Sequence, residues 1–287
     1  MDWQRDLPSW PLNHLSRRIA HRPHVWHVQE TGTGETVLLL HGAGASTHSW
    51  RDIIPRLAES RHVVALDLPG QGFSRCGAAG RLGLDAMTHD IALLCDAQGW
   101  QPAMIVGHSA GGALALNLAA RMAETGTAPR TVVGINAALS RFEGVAGWLF
   151  PLMAKTLAIN PVTAALFAAG RPNPARARRL IESTGSRLDA AGIDLYARLL
   201  ADRAHVDGTL QMMARWDVDS LALRLPTLCA RCVFLIGEND AAVPPSASRK
   251  AAATIPSARV VEMPRLGHLA HEEDPQSISR IGKCQRQ

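Results

Sequence analysis

Long uncharged apolar runs are missing from this sequence of 287 residues. The nearest candidate, residues 144–170, carries Lys155 and is broken by Pro151 and Pro161. No membrane-spanning helix is therefore expected, and at most peripheral membrane contact. Residues 1–10 contain Asp2, Arg5 and Asp6 and no apolar core, so no secretory signal is expected. Cysteines are few and odd in number: Cys76, Cys95, Cys229, Cys232 and Cys284. That argues against a disulfide framework and for a reducing, cytoplasmic compartment. No run of five like charges occurs, and the excess of +5 is spread along the chain, so nucleic acid is not an expected partner. The densest basic cluster, Arg171, Arg176, Arg178 and Arg179, reads first as a solvated helix face.

Metal and nucleotide signatures are equally scarce. Cys229-Ala230-Arg231-Cys232 lacks the second pair that a zinc site needs, and it runs into a strand pattern where a redox pair would open a helix. The twelve histidines show no H-E-x-x-H spacing, and there is neither a P-loop nor a glycine fingerprint after the first strand pattern. No cofactor and no metal are expected. No internal repeat or low-complexity segment interrupts the chain.

What is present is alternation. Short apolar runs at 37–40, 63–66, 104–106, 132–135, 233–236 and 260–263 have the continuous character of strands buried on both faces. Helical patterns at 50–59, 84–98 and 111–124 lie between them. This predicts an α/β fold with a mostly parallel, doubly wound sheet. The alternation stops between about Ala137 and Pro226, where helical patterns are broken by Pro and Gly. An insertion there would sit over the C-terminal edge of the sheet, where such folds place their sites. The expected organisation is a core from 1–136 and 227–287 with a helical cap at 137–226.

Gly107-His108-Ser109-Ala110-Gly111 fits G-x-S-x-G and stands between a strand pattern and a helix pattern, as a nucleophile elbow requires. Such a turn holds the serine in strained dihedrals and exposes its hydroxyl at a helix N-terminus. A serine hydroxyl needs a base, and the base needs an orienting acid, in the chain order Ser, acid, His. Asp240 follows the strand pattern at 233–236 and is the candidate acid, with Glu238 as its rival. His268 follows the last strand pattern and is the candidate base, with His271 as its rival. An oxyanion hole needs two backbone N–H groups. Ala110 and Ala43, the latter in the loop His41-Gly42-Ala43-Gly44, are the candidates. Residues 67–74 read as a structural turn.

The apolar segment 144–170 contains Trp148, Phe150 and Met153. It reads either as ordinary cap core or as a lid over a large hydrophobic substrate. In the second reading Arg176 and Arg178 would pair with ligand carboxylates.

Residues 41–51, 107–111, 185–189, 212–217 and 237–240, in that order, resemble the BchO family of α/β-hydrolase-like magnesium-chelatase accessory proteins of bacteriochlorophyll biosynthesis. The opening Met1-Asp2-Trp3-Gln4-Arg5-Asp6 is also similar. The resemblance runs to about Pro275; the triad motifs are generic to the superfamily, and those at 185–189 and 212–217 are specific. After Asp274 the chain departs from the pattern, with a short final helix and a polar tail at 283–287. The resemblance implies an α/β-hydrolase fold and a role in a purple or related phototroph near magnesium insertion into protoporphyrin. It also implies magnesium-chelatase subunits as partners and a place in the cytoplasm or at the periphery of the photosynthetic membrane. Without a P-loop the chain is not the ATP-driven motor of chelation. The triad points to ester, thioester or amide hydrolysis, and a porphyrin, flat, apolar and bearing propionates, would suit the apolar segment and the arginines. Two other readings stay open: a non-catalytic accessory protein or porphyrin carrier, and other chemistry of the fold such as carbon–carbon hydrolysis.

Overall fold

The computed structural model describes residues 1–139 and 171–278. Eight strands form one sheet: β1 (Ser16–His21), β2 (His24–Thr31), β3 (Thr36–Leu40), β4 (His62–Leu66), β5 (Pro102–His108), β6 (Thr131–Ile135), β7 (Arg231–Gly237) and β8 (Ala258–Met263). Their order is β1-β2-β4-β3-β5-β6-β7-β8. From β4 across to β8 every pairing is parallel; β1–β2 and β2–β4 are antiparallel.

Alternation along the central strands divides the core. In β3, Leu38 and Leu40 face one side, where Val64, Leu66 and Ile105 meet Met87 and Ile91 of α2 (Leu84–Gln98) and Leu114 and Leu118 of α3 (Ala110–Glu124). Val37 and Leu39 face the other side, with Val63, Ala65, Met104 and Val106, and pack against Trp50, Ile53, Ile54 and Leu57. All of these are buried, and each Val, Leu, Ile and Met among them contributes roughly 1.5–3 kcal/mol by leaving water.

Two sequence expectations are corrected. Two antiparallel strands, β1 and β2, precede the first strand that the apolar pattern shows. β1 buries only Ile19, and β2 buries His24, His27 and Gln29 beside Trp26 and Val28. Its buried polar side chains are held by hydrogen bonds, with His27 Nδ1 2.6 Å from Asp67 Oδ2 and Gln29 Nε2 2.7 Å from the Pro11 carbonyl, so no apolar run marks the strand. Nor is 50–59 one helix. Residues Thr47–Trp50 form a 3₁₀ turn, and only Ile54–Ala58 is α-helical (α1). Pro55 is in the first turn of α1; it has no N–H to donate into a longer helix.

Among the described residues, the stretch between β6 and β7 holds only helices: α4 (Pro174–Ser183), α5 (Ala190–Ala201), α6 (Arg203–Ala214), α7 (Asp219–Arg224) and a 3₁₀ turn at Leu225–Thr227. Asn173, Asp189 and Asp202 cap α4, α5 and α6, each accepting the N–H of the third residue on. α8 (Pro245–Thr254) and the short α9 (Ala270–Glu273) are the remaining α-helices among the described residues. No helix among the described residues is long and apolar enough to cross a membrane.

Candidate active site

β5 ends at His108 and α3 begins at Ala110, which leaves Ser109 alone at the turn with φ 51° and ψ −117°. A non-glycine residue in that region is strained and is held there by its surroundings. The Ser109 N–H donates to the Ile135 carbonyl at 2.9 Å, and its own carbonyl accepts the N–H groups of Gly112 and Ala138. The motif glycines serve close approach. A Cβ on Gly107 would lie 2.0 Å from the Gly111 oxygen, and one on Gly111 would lie 2.1 Å from the Leu40 oxygen. Strand, elbow and helix therefore touch backbone to backbone, and Ser109 stands over the first turn of α3.

The loop after β7 carries Asp240, and the loop after β8 carries His268. His268 Nδ1 lies 2.8 Å from Asp240 Oδ2. The second carboxylate oxygen, Oδ1, accepts the N–H groups of Ala242 and Val243, both at 2.8 Å. Asp240 is thus turned toward the imidazole with its remaining lone pairs occupied. That bond puts a proton on Nδ1 and leaves Nε2 as the basic nitrogen. The structure does not bring Glu238 to the histidine; its carboxylate accepts the Arg265 N–H and is exposed. His271 is also set apart. It is fully buried, with neither ring nitrogen hydrogen-bonded, and it stacks 4.3 Å from His108 and 4.7 Å from Trp50.

The loop of residues 41–44 lies against the elbow. A Cβ on Gly42 would be 3.0 Å from Ser109 Cβ, so glycine lets the loop reach the serine. His41 accepts the Leu68 N–H at Nε2, and its Nδ1–H donates to the Gly42 carbonyl at 2.7 Å. Gly44 donates to Gln71 Oε1 at 2.7 Å. Its carbonyl accepts from His205 Nε2, while His205 Nδ1 accepts the Gly72 N–H. These bonds orient the loop and require neutral rings. Burial supplies that state: it lowers the His41 pKa, and it lowers that of His205 to about 4 and that of His271 to about 3. Among the described residues the Ala43 and Ala110 N–H groups donate to no protein acceptor. Ala43 is exposed and Ala110 is buried.

A family model of the alpha/beta hydrolase fold matches residues 35–275. The magnesium-chelatase 30 kDa subunit of Rhodobacter capsulatus is 44% identical over 279 residues, which is 96% of this chain and 96% of that one. The chain belongs to the BchO family, within the α/β-hydrolase-fold proteins. Solved structures agree on the fold alone. An α/β-hydrolase-fold protein from Burkholderia ambifaria matches with a TM-score of 0.77 at 21% identity, covering 93% of this chain and 97% of that one. The epoxide hydrolase CorEH matches with a TM-score of 0.78 at 20% identity, covering 93% and 96%.

In this BchO-family chain the two specific motifs both reach the site's loops. In the first, Gly185 has φ 83°, and a Cβ there would lie 1.8 Å from the Asn239 oxygen. Next to it, the Thr184 carbonyl accepts the N–H groups of both Ala241 and His268, and Ser186 Oγ accepts the Leu269 N–H at 2.7 Å. In the second motif, buried Met212 places its sulfur 3.1 Å from Gln71 Nε2, behind the Gly44 loop. Arg176, Arg178 and Arg179 are exposed on α4, and Arg171 is exposed ahead of it. Arg178 borders a cleft of about 600 Å³ with Ser186, Arg187 and Leu188. Trp148, Phe150 and Met153 lie outside the described residues, as does the polar tail at 283–287. Among the described residues no group of three His, Cys, Asp or Glu side chains is arranged to hold a metal ion.

Sequence reasoning missed Asn136, His108, Gln71 and His205. None belongs to a spacing that carries chemistry by itself. Asn136 offered one faint signal: it is the polar residue at the C-terminal end of a core strand, the edge where sites form.

Proposed function

We propose that this protein is a serine hydrolase of the ester, thioester or amide class, acting at or near the magnesium-chelation step of bacteriochlorophyll biosynthesis. One observation carries the reading: Asp240, its other oxygen satisfied, orients the His268 imidazole, and His108 of the strained serine elbow meets the His268 carbonyl and ring. In this mechanism Ser109 Oγ attacks the carbonyl carbon while His268 Nε2 takes its proton. The charge on the carbonyl oxygen is met by the Ala43 and Ala110 N–H groups. His268 then gives the proton to the leaving group, and a water repeats the sequence to release the acid. Asp240 fixes the tautomer and stabilises the imidazolium.

The pathway assignment draws on the 44% identity to a protein named as a magnesium-chelatase subunit. Under it, the helices between β6 and β7 act as a cap over the site, the substrate is a hydrophobic carboxylate-bearing molecule such as a porphyrin ester, and chelatase subunits are partners. Labelling with a fluorophosphonate tests the chemistry. Wild type should label rapidly and Ser109→Ala should not. A folded wild type that resists labelling would sink the hydrolase reading. The same relative's name favours a second reading, a porphyrin-binding accessory protein with an unused triad. Porphyrin binding and chelatase capture that persist in Ser109→Ala would support it.

A further inference from the structure

The acid and the base ride on separate loops, after β7 and after β8, and hydrolysis needs them in fixed register with a serine after β5. The loop after β8 and the last residue of β7, three positions before Asp240, converge on one side chain. Asn136 follows β6 and is 1% exposed, in the left-handed region at φ 45°. Its Nδ2 donates to the Gly267 carbonyl at 2.9 Å and to the His268 carbonyl at 2.8 Å. Its Oδ1 accepts the Gly237 N–H at 2.7 Å, and its own N–H donates to the Leu235 carbonyl. His108 meets the same His268 carbonyl from the elbow side, with Nε2 at 2.9 Å. An amide has two donor hydrogens and one acceptor oxygen, and all are used here.

We infer that Asn136, together with His108, is the positioning clamp of the site, fixing the His268 loop to the Asp240 loop and to the serine elbow. The inference rests on the serine-hydrolase reading. Residue chemistry supports the pairing. The accepting carbonyl of His268 requires two donors, and a carboxylate at 136 would present oxygen to oxygen. The ring at 108 is kept neutral by burial, so it carries a single proton, and the bond places that proton on Nε2. Asn136 acts through the backbone of the base, whereas His108 meets that backbone and also packs its ring 4.7 Å from the His268 ring.

Asn136→Gly tests this without adding strain, because glycine accepts φ 45°. Near-UV circular dichroism establishes that the variant is folded. The rate of fluorophosphonate labelling should fall about 100-fold, the cost of a displacement near 1 Å at a reacting centre. Asn136→Asp should fall at least as far. His108→Gln, which keeps a donor, should label close to wild type, whereas His108→Leu should not. A second readout does not need turnover: the low-field proton resonance of the His268–Asp240 bond, assigned by its loss in His268→Gln. It should shift or broaden in Asn136→Gly and in His108→Leu and keep its wild-type position in His108→Gln. A folded Asn136→Gly with that resonance unmoved overturns the clamp. Wild type that fails to label overturns the hydrolase reading instead, and the resonance then decides the clamp alone.

Discussion

Helix α3, behind the serine, buries eleven of its fifteen residues, whereas α4, in the helical layer between β6 and β7, buries two of ten. The wall behind the site consists of backbone contacts, neutral buried rings and an amide with no unused valence. The helical layer presents Arg176, Arg178 and Leu180 to solvent and reaches the triad loops through Thr184 and Ser186. The difference fits a division of labour. Geometry that must not move is built from groups with one possible arrangement. α4 instead carries long side chains on a lightly packed helix, which are free to differ.

The largest effect should come from the wall's own product, the elbow. Ser109→Ala should lower the labelling rate or any esterase turnover by at least 10³-fold, since triad members act as a unit. Its thermal stability should stay near wild type. A variant that loses stability as well would show the strained turn depending on the hydroxyl rather than on its frame.

Core substitutions sharpen the contrast. Leu114→Ala, at a fully buried site on α3, should cost about 2–5 kcal/mol in urea unfolding. Leu180→Ala on α4, at 47% exposure, should stay within about 0.5 kcal/mol. Equal losses would mean that the helical layer is packed as tightly as the sheet.

Acid should attack the wall first. His271 has its pKa lowered to about 3 by burial. The unfolded chain therefore binds a proton near pH 6.5 that the folded chain refuses, and stability falls as the pH drops from there toward 3. At pH 5 the loss from this one group is about 2 kcal/mol. His271→Leu gives up no hydrogen bond to the protein, since neither ring nitrogen makes one. It should match wild type to within about 1 kcal/mol at pH 7.5 and exceed it by about 2 kcal/mol at pH 5. Urea titrations at the two pH values check this. A constant difference would mean that the ring is protonated while folded.

The same contrast explains what could be read in advance. The central strands were legible because burial on both faces demands apolar runs, and the candidate site residues because each follows one of those strands. β1 and β2 were not legible, because an edge hairpin buries little on one strand and hides His27 and Gln29 in side-chain bonds on the other. The helix expected at 50–59 failed on Pro55, whose missing N–H was visible but under-weighted. Asn136 could not be singled out, because its meaning lies in three partners from 101 to 132 positions away in sequence.

The smallest effect on the fold, and the most informative for the helical layer, concerns the arginines. Replacing Arg176 and Arg178 with Ala together should change stability by less than about 0.5 kcal/mol, since both are exposed on α4. If they recognise carboxylates, the same double variant should bind a hydrophobic dicarboxylate at least about tenfold more weakly, the loss of one or two charge-assisted contacts. Titration of a fluorescent porphyrin dicarboxylate against both proteins measures it. Unchanged affinity would make this face a solvated surface and nothing more. Selective loss would extend the division of labour to ligand recognition, with the wall holding the chemistry and α4 choosing what reaches it.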